Sequence, residues 1–225
     1  SLIAQGIAAG GLDQVRCEVW LRVAEAWVSA VDGEVPRAAA MVASAAERAI
    51  DNDHVVWGAI AAHQATMLGC PDEVDSLLGA LDAGPLVDLL ADHAAARGGT
   101  ELRATVQRFV DRGMLASAAT AAATLAADDA ETAEASRVAA VQALTLWRRC
   151  PAFWSPVLAA VEVPLSERQL EVARLAAAGN PSSAIGDQLF VSTKTVDNHL
   201  HAVYRTFGIG SRDELAEVLR YDEPT

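Results

Sequence analysis

The chain has 225 residues, of which 52% are hydrophobic, 5% aromatic and 21% charged, and its 17 basic against 30 acidic residues give a formal net charge of −13. That length holds one large or two small domains with cores of their own, and no run of about 18 apolar residues is present to span a bilayer. So acidic a balance argues against a nucleic-acid partner unless positive charge is gathered locally.

At the N-terminus, Ser1-Leu2-Ile3-Ala4 is too short for a secretory signal and lacks its basic flank. A cytoplasmic location without membrane association is therefore expected. The missing initiator methionine suggests a trimmed chain or a piece of a longer protein.

From Leu12 to about Pro151, alanine-rich apolar-periodic stretches alternate with short turn signals, which predicts helices throughout. The first carries Trp20 and Trp27 seven residues apart on one face and ends at Asp32-Gly33-Glu34, before Pro36 opens the next. Further breaks at Gly69-Cys70-Pro71, Gly84-Pro85, Gly98-Gly99-Thr100 and Arg112-Gly113 divide the region into roughly eight helices of about 11 to 20 residues with short connections, as antiparallel hairpins require. Pro36 and Pro71 stand at equivalent helix starts 35 residues apart, close to the period of about 34 of tetratricopeptide arrays, although the signature of those repeats is absent. Trp20, Trp27, Trp57 and Trp147 are expected to supply bulk to a core otherwise made of alanine.

Enzyme chemistry finds no footing here. There is no phosphate-binding G-x-x-x-x-G-K-[ST] loop, no G-x-S-x-G elbow and no G-x-G-x-x-G turn. Asp72-Glu73 and Asp128-Asp129 read as acids at helix starts, where they complement the dipole. Cys17, Cys70 and Cys150 are odd in number and widely spaced, which predicts buried free thiols, and the five histidines form no metal-ligand pattern. No cofactor or metal is expected.

Proline-bearing sequence through Ser155-Pro156 to Val163-Pro164 reads as a linker with one short helix. Beyond it, Ser166 and Gln169 make a capping box for a helix of about 12 residues closed by Gly179. A second helix fits Ser182 to Leu189. Ser192 then caps a third, in which Val196, Leu200, Val203 and Phe207 share one face while Lys194, Asn198, His201 and Arg205 stand on the other. Gly208-Ile209-Gly210 ends it, and Ser211 with Glu214 starts a last helix. Four helices with a tight turn between the second and third predict a helix-turn-helix domain whose third helix is the reader. Between Pro164 and Arg220, six basic residues face seven acidic ones, so nearly all of the acid excess lies elsewhere. Lys194 is the only lysine in the chain.

The run P-L-S-E-R-Q-L-E-V-A-R-L-A-A-A-G, followed by I-G-D-Q-L-F-V-S-T-K-T-V-D-N-H-L-H-A-V-Y-R-T-F-G-I-G-S-R-D-E-L, resembles the LuxR-type DNA-binding domain of bacterial transcription regulators. The resemblance implies sequence-specific binding of double-stranded DNA, usually as a homodimer on paired half-sites. It places Asp197, Asn198 and His201 at base-reading positions and Thr193, Lys194, Thr195 and Arg205 where phosphates are held. It assigns the dimer contact to the last helix, through Leu215, Val218 and Leu219. Departures from the family pattern include Pro181-Ser182-Ser183-Ala184-Ile185-Gly186 at the start of the second helix, which loses a basic phosphate contact and introduces a glycine expected to weaken that helix by about 1 kcal/mol relative to alanine. The array ahead of the domain resembles, by architecture and alanine texture, the C-terminal portion of large MalT-like regulators of the same family.

These readings predict an all-α chain: a tetratricopeptide-like array of antiparallel helical hairpins over residues 1–152, a linker at 153–164, a four-helix helix-turn-helix domain at 165–220 and a tail at 221–225. The array would sense or transmit a signal, from a protein or small-molecule effector bound to it, to a non-enzymatic DNA-binding domain. A second reading is a protein-interaction scaffold whose helix-turn-helix binds DNA weakly or not at all alone. The charge split further suggests that the acidic array docks on Arg205 and Arg212 and keeps the domain silent.

Overall fold

The computed structural model describes residues 14–150 and 152–219, so the reading of Ser1-Leu2-Ile3-Ala4 and the tail at 221–225 lie outside the described residues. Among the described residues the chain is helical, with no strand. The array comprises α1 (Gln14–Val31), α2 (Val35–Asp51), α3 (Val55–Met67), a 3₁₀ turn at Pro71–Glu73, α4 (Asp75–Gly79), α5 (Pro85–Ala95), α6 (Gly99–Asp111), α7 (Leu115–Ala126) and α8 (Ala133–Arg148). After α9 (Pro156–Ala159) come the four helices of the C-terminal domain: α10 (Glu167–Ala177), α11 (Ser182–Leu189), α12 (Thr193–Phe207) and α13 (Arg212–Leu219).

Alanine spacing builds the array. In α2, Ala38, Ala39, Val42, Ala45, Ala46 and Ala49 recur at helical intervals and are all buried. Small side chains let α3 approach closely: a Cβ on Gly58 would stand 2.9 Å from the Ala46 carbonyl oxygen. Consecutive helices pack as hairpins, α1 on α2, α2 on α3, α6 on α7 and α7 on α8. The middle of the array departs from a repeat. Pro36 sits in the first turn of a 17-residue helix, whereas Pro71 opens a 3₁₀ turn that leads only to the five residues of α4, so the two prolines are not equivalent.

Three further expectations are corrected. Trp147 is buried, but Trp20 and Trp57 are each 38% exposed and meet edge to face at the surface, 5.8 Å apart. The three cysteines are free but only partly buried, Cys70 and Cys150 lying in turns between helices. Asp128 and Asp129 precede α8 rather than occupying its first turn, and Asp128 accepts from the Ala130 amide at 3.0 Å while Thr132 is the cap.

The array core holds a pair of buried histidines. His63 of α3 and His93 of α5 are buried and share a hydrogen bond, Nε2 to Nδ1, of 2.9 Å, with Phe109 of α6 against both rings. Burial pushes the pKa of His93 from 6.5 to about 4. Burial and the neighbouring His93 hold His63 well below its ordinary value.

The expected linker is bound back on the array rather than free. Trp147 Nε1 donates to the Phe153 carbonyl at 2.6 Å, Phe153 and Trp154 lie edge-on to Trp27 of α1, and Leu158 of α9 is buried against α7 and α8. Helix α8 also touches α12 and α13, so the array and the C-terminal domain share a seam.

Candidate nucleic-acid interface

Ser192 fixes the start of α12: its Oγ accepts from the Thr195 amide at 3.1 Å. Gly208, with φ +63°, closes the helix in the left-handed conformation that glycine adopts without a steric penalty. Val196, Leu200, Val203 and Phe207 are buried, as their spacing predicts, against α10 and α11. That burial turns the opposite row to solvent.

Lys194, Asn198, His201 and Arg205 are exposed along this row, with Thr193 and Asp197 exposed beside it. Among the described residues no carboxylate lies within ion-pairing distance of Lys194 or Arg205. Thr195 differs: it is partly buried, and its hydroxyl lies 2.8 Å from Ser192 Oγ within the cap. The arrangement is a straight, solvent-facing row of donors with two unneutralised cations about 16 Å apart, taking eleven residues at 1.5 Å each.

The turn ahead of α12 is held by residues whose role the sequence did not mark. Arg168 of α10 donates to the Leu189 carbonyl at 2.6 Å and to Glu171 at 2.6 Å, tying the first helix to the end of the second. Arg212 donates to the Asn180 carbonyl and, at 2.9 Å, to Ser182 Oγ, tying α13 to the start of α11. Gly186 is buried where α11 crosses the turn, and a Cβ there would come within 2.8 Å of the Val191 carbonyl oxygen. The glycine is therefore a requirement of the close approach and not merely a weak point in α11.

Phe190 was also missed. It ends α11 in the left-handed region at φ +55° and is 95% exposed, next to Ser192 and Thr193. The signal was there, an aromatic in a turn, but apolar periodicity does not distinguish it from a core residue.

Leu215, Val218 and Leu219, expected at a dimer contact, are 0, 5 and 7% exposed and belong to the core that α13 forms with α10 and α8. The array does not dock on Arg205 or Arg212, as the charge split suggested. Arg212 is engaged inside the domain, and the ion pair across the seam has the opposite sense, Arg148 of α8 with Glu214 of α13 at 3.9 Å. Arg148 Nη1 is buried there without a hydrogen-bond partner.

Residues 163–219 match the family described as bacterial regulatory proteins, luxR family. No curated protein and no solved structure matches the chain. The match includes every helix of the four-helix domain and leaves the array outside it.

Proposed function

We propose, from the premise that residues 163–219 are a luxR-family helix-turn-helix domain and the chain a DNA-binding transcription regulator, that α12 enters the major groove and reads sequence through Asp197, Asn198 and His201. Asn198 suits bidentate pairing with adenine, Asp197 accepts from the cytosine amino group, and His201 donates to guanine. Thr193, Lys194 and Arg205 hold phosphates on either side, and Thr195 does so through the hydroxyl it shares with the cap. The single observation carrying this reading is the solvent-facing row of donors on a helix whose other face is wholly buried.

A mobility-shift series on operator fragments selected from genomic DNA tests it. Asn198→Ala should relax preference at one base pair by about 1–3 kcal/mol. Parent-like selectivity in Asn198→Ala would remove α12 as the reader.

The array transmits the signal through the seam at α8. Dimerisation through Leu215, Val218 and Leu219 requires α13 to give up packing on both α10 and α8, and the loose Arg148–Glu214 pair favours its parting from α8. Arg148→Glu, which sets two carboxylates against each other, should raise both the dimer fraction in sedimentation and the DNA affinity. If Arg148→Glu stays monomeric with unchanged affinity, the dimer contact lies elsewhere.

A further inference from the structure

Between the array and the C-terminal domain lies a cleft of about 730 Å³, within the size range of small-molecule sites. One wall is α7 and α8, with Ala123, Ala126 and Ala140; the other is the segment from α9 to α10, with Val157, Val161 and Leu165. Alanines on the array side leave the hollow that larger side chains would fill. Its polar groups are unequal. Ser166 and Gln169 are committed to the capping box of α10, which leaves Arg137 and Glu162 as the charged groups on the cleft. Arg137 is exposed, donates only from Nε to the Ala133 carbonyl at 3.3 Å, and has no carboxylate within 4 Å among the described residues, neither Glu134 one turn before it nor Glu162 across the cleft.

We propose that this cleft binds a small amphipathic monocarboxylic acid, its carboxylate paired with Arg137 and its aliphatic body against the alanine and valine walls. An unneutralised guanidinium at the margin of an aliphatic hollow matches that chemistry: the planar fork donates bidentately to a carboxylate, and the walls supply apolar contact for an aliphatic chain. Glu162 disfavours a second negative charge, which selects a monocarboxylate. The cleft touches both halves of the molecule, so an occupant bears on how they pack together. This consequence rests on the reading that the array transmits a signal, whereas binding itself does not.

The test is calorimetric titration of the whole chain, without DNA, with straight-chain carboxylates from hexanoate to dodecanoate below their micellar concentrations, and with decanol as the uncharged control. The expected result is saturable 1:1 binding of a member of the series. Arg137→Gln should weaken it at least tenfold, Glu162→Gln should leave or tighten it, and decanol should bind at least tenfold more weakly than decanoate. Ala160→Trp, which fills the cleft from an exposed position, should abolish binding while circular dichroism stays unchanged. Absence of saturable binding across the series overturns the proposal, as does equal binding by the parent, Arg137→Gln and Ala160→Trp. In a separate mobility-shift titration, a carboxylate that binds but leaves DNA affinity unaltered supports the cleft and overturns its coupling to the DNA-binding domain.

Discussion

The two halves of the molecule use their arginines differently. In the array most are neutralised by a neighbouring acid: Arg22 by Glu25 at 2.8 Å, Arg48 by Glu18 at 2.8 Å, Arg97 by both Asp72 and Asp75, and Arg103 by Glu131 at 2.8 Å. In the C-terminal domain, Arg168 pairs with Glu171 but also grips the Leu189 main-chain carbonyl, Arg212 grips that of Asn180, and both set the geometry of the turn, while Lys194 and Arg205 face solvent without a partner among the described residues. The net charge of −13 therefore describes the array and says little about the solvent-facing row of α12. What matters for a polyanionic partner is which cations remain unneutralised and where they stand.

The largest effect that separates the halves should come from acid. His63 and His93 are neutral in the fold, and the unfolded chain takes up protons as pH drops below about 6.5. Their folded pKa values are depressed, so stability is intact above that pH and falls as pH descends; the contribution of His93 is used up below about 4, while His63, held well below its ordinary value, adds to the loss across the same window. The loss from His93 alone is on the order of 3 kcal/mol. Urea unfolding followed by circular dichroism at pH 7, 5 and 4 measures it, and a His63→Leu/His93→Leu double variant should flatten the dependence in this window. An equally steep profile in the double variant would move the loss from the array core to the carboxylates.

Next in size is Gly186→Ala, confined to the domain. Helix propensity alone predicts a gain of about 1 kcal/mol, but the approach to the Val191 carbonyl predicts a loss of roughly 1–3 kcal/mol from overpacking. Hydrogen exchange should show the loss in α11 and α12 only; a stabilised variant would mean that the turn yields.

The smallest effects test the comparison most directly. Arg22→Ala should change stability by less than about 0.5 kcal/mol and leave DNA binding as it was, because an exposed pair contributes little. Lys194→Ala should be as mild for stability yet reduce the salt slope of DNA binding by about 1. If the two variants behave alike toward DNA, the distinction between paired and unpaired cations is empty.

Much of the domain was legible beforehand because local signals agree there. The Ser192 cap, the buried row from Val196 to Phe207 and the bounds of α11 each follow from spacing and turn chemistry. The array was read less finely. The break at Asn52–His54 carries neither glycine nor proline, and it forms because Asp53 takes the left-handed conformation at φ +63°. Trp20 and Trp57 share a surface rather than the core, since periodicity marks a face but not what covers it. The same limit applies to α13: its apolar row was plain, but that α10 and α8 cover it within one chain is a property of tertiary packing. Arg168 and Arg212 were invisible as positioning residues because their acceptors, at Leu189 and Asn180, are main-chain atoms remote in sequence.

The aromatic anchoring of Phe153 and Trp154 on Trp27 has an optical consequence. All five tryptophans, at positions 20, 27, 57, 147 and 154, precede the luxR-family domain, which contains none. Emission excited at the red edge of the indole band thus comes from the array and its junction alone, and Tyr204 on α12 stays dark. The chain carries a native reporter of the half outside the luxR-family domain: with DNA held on α12 as proposed, quenching on adding an operator would register motion passed across the seam rather than contact, with no dye attached.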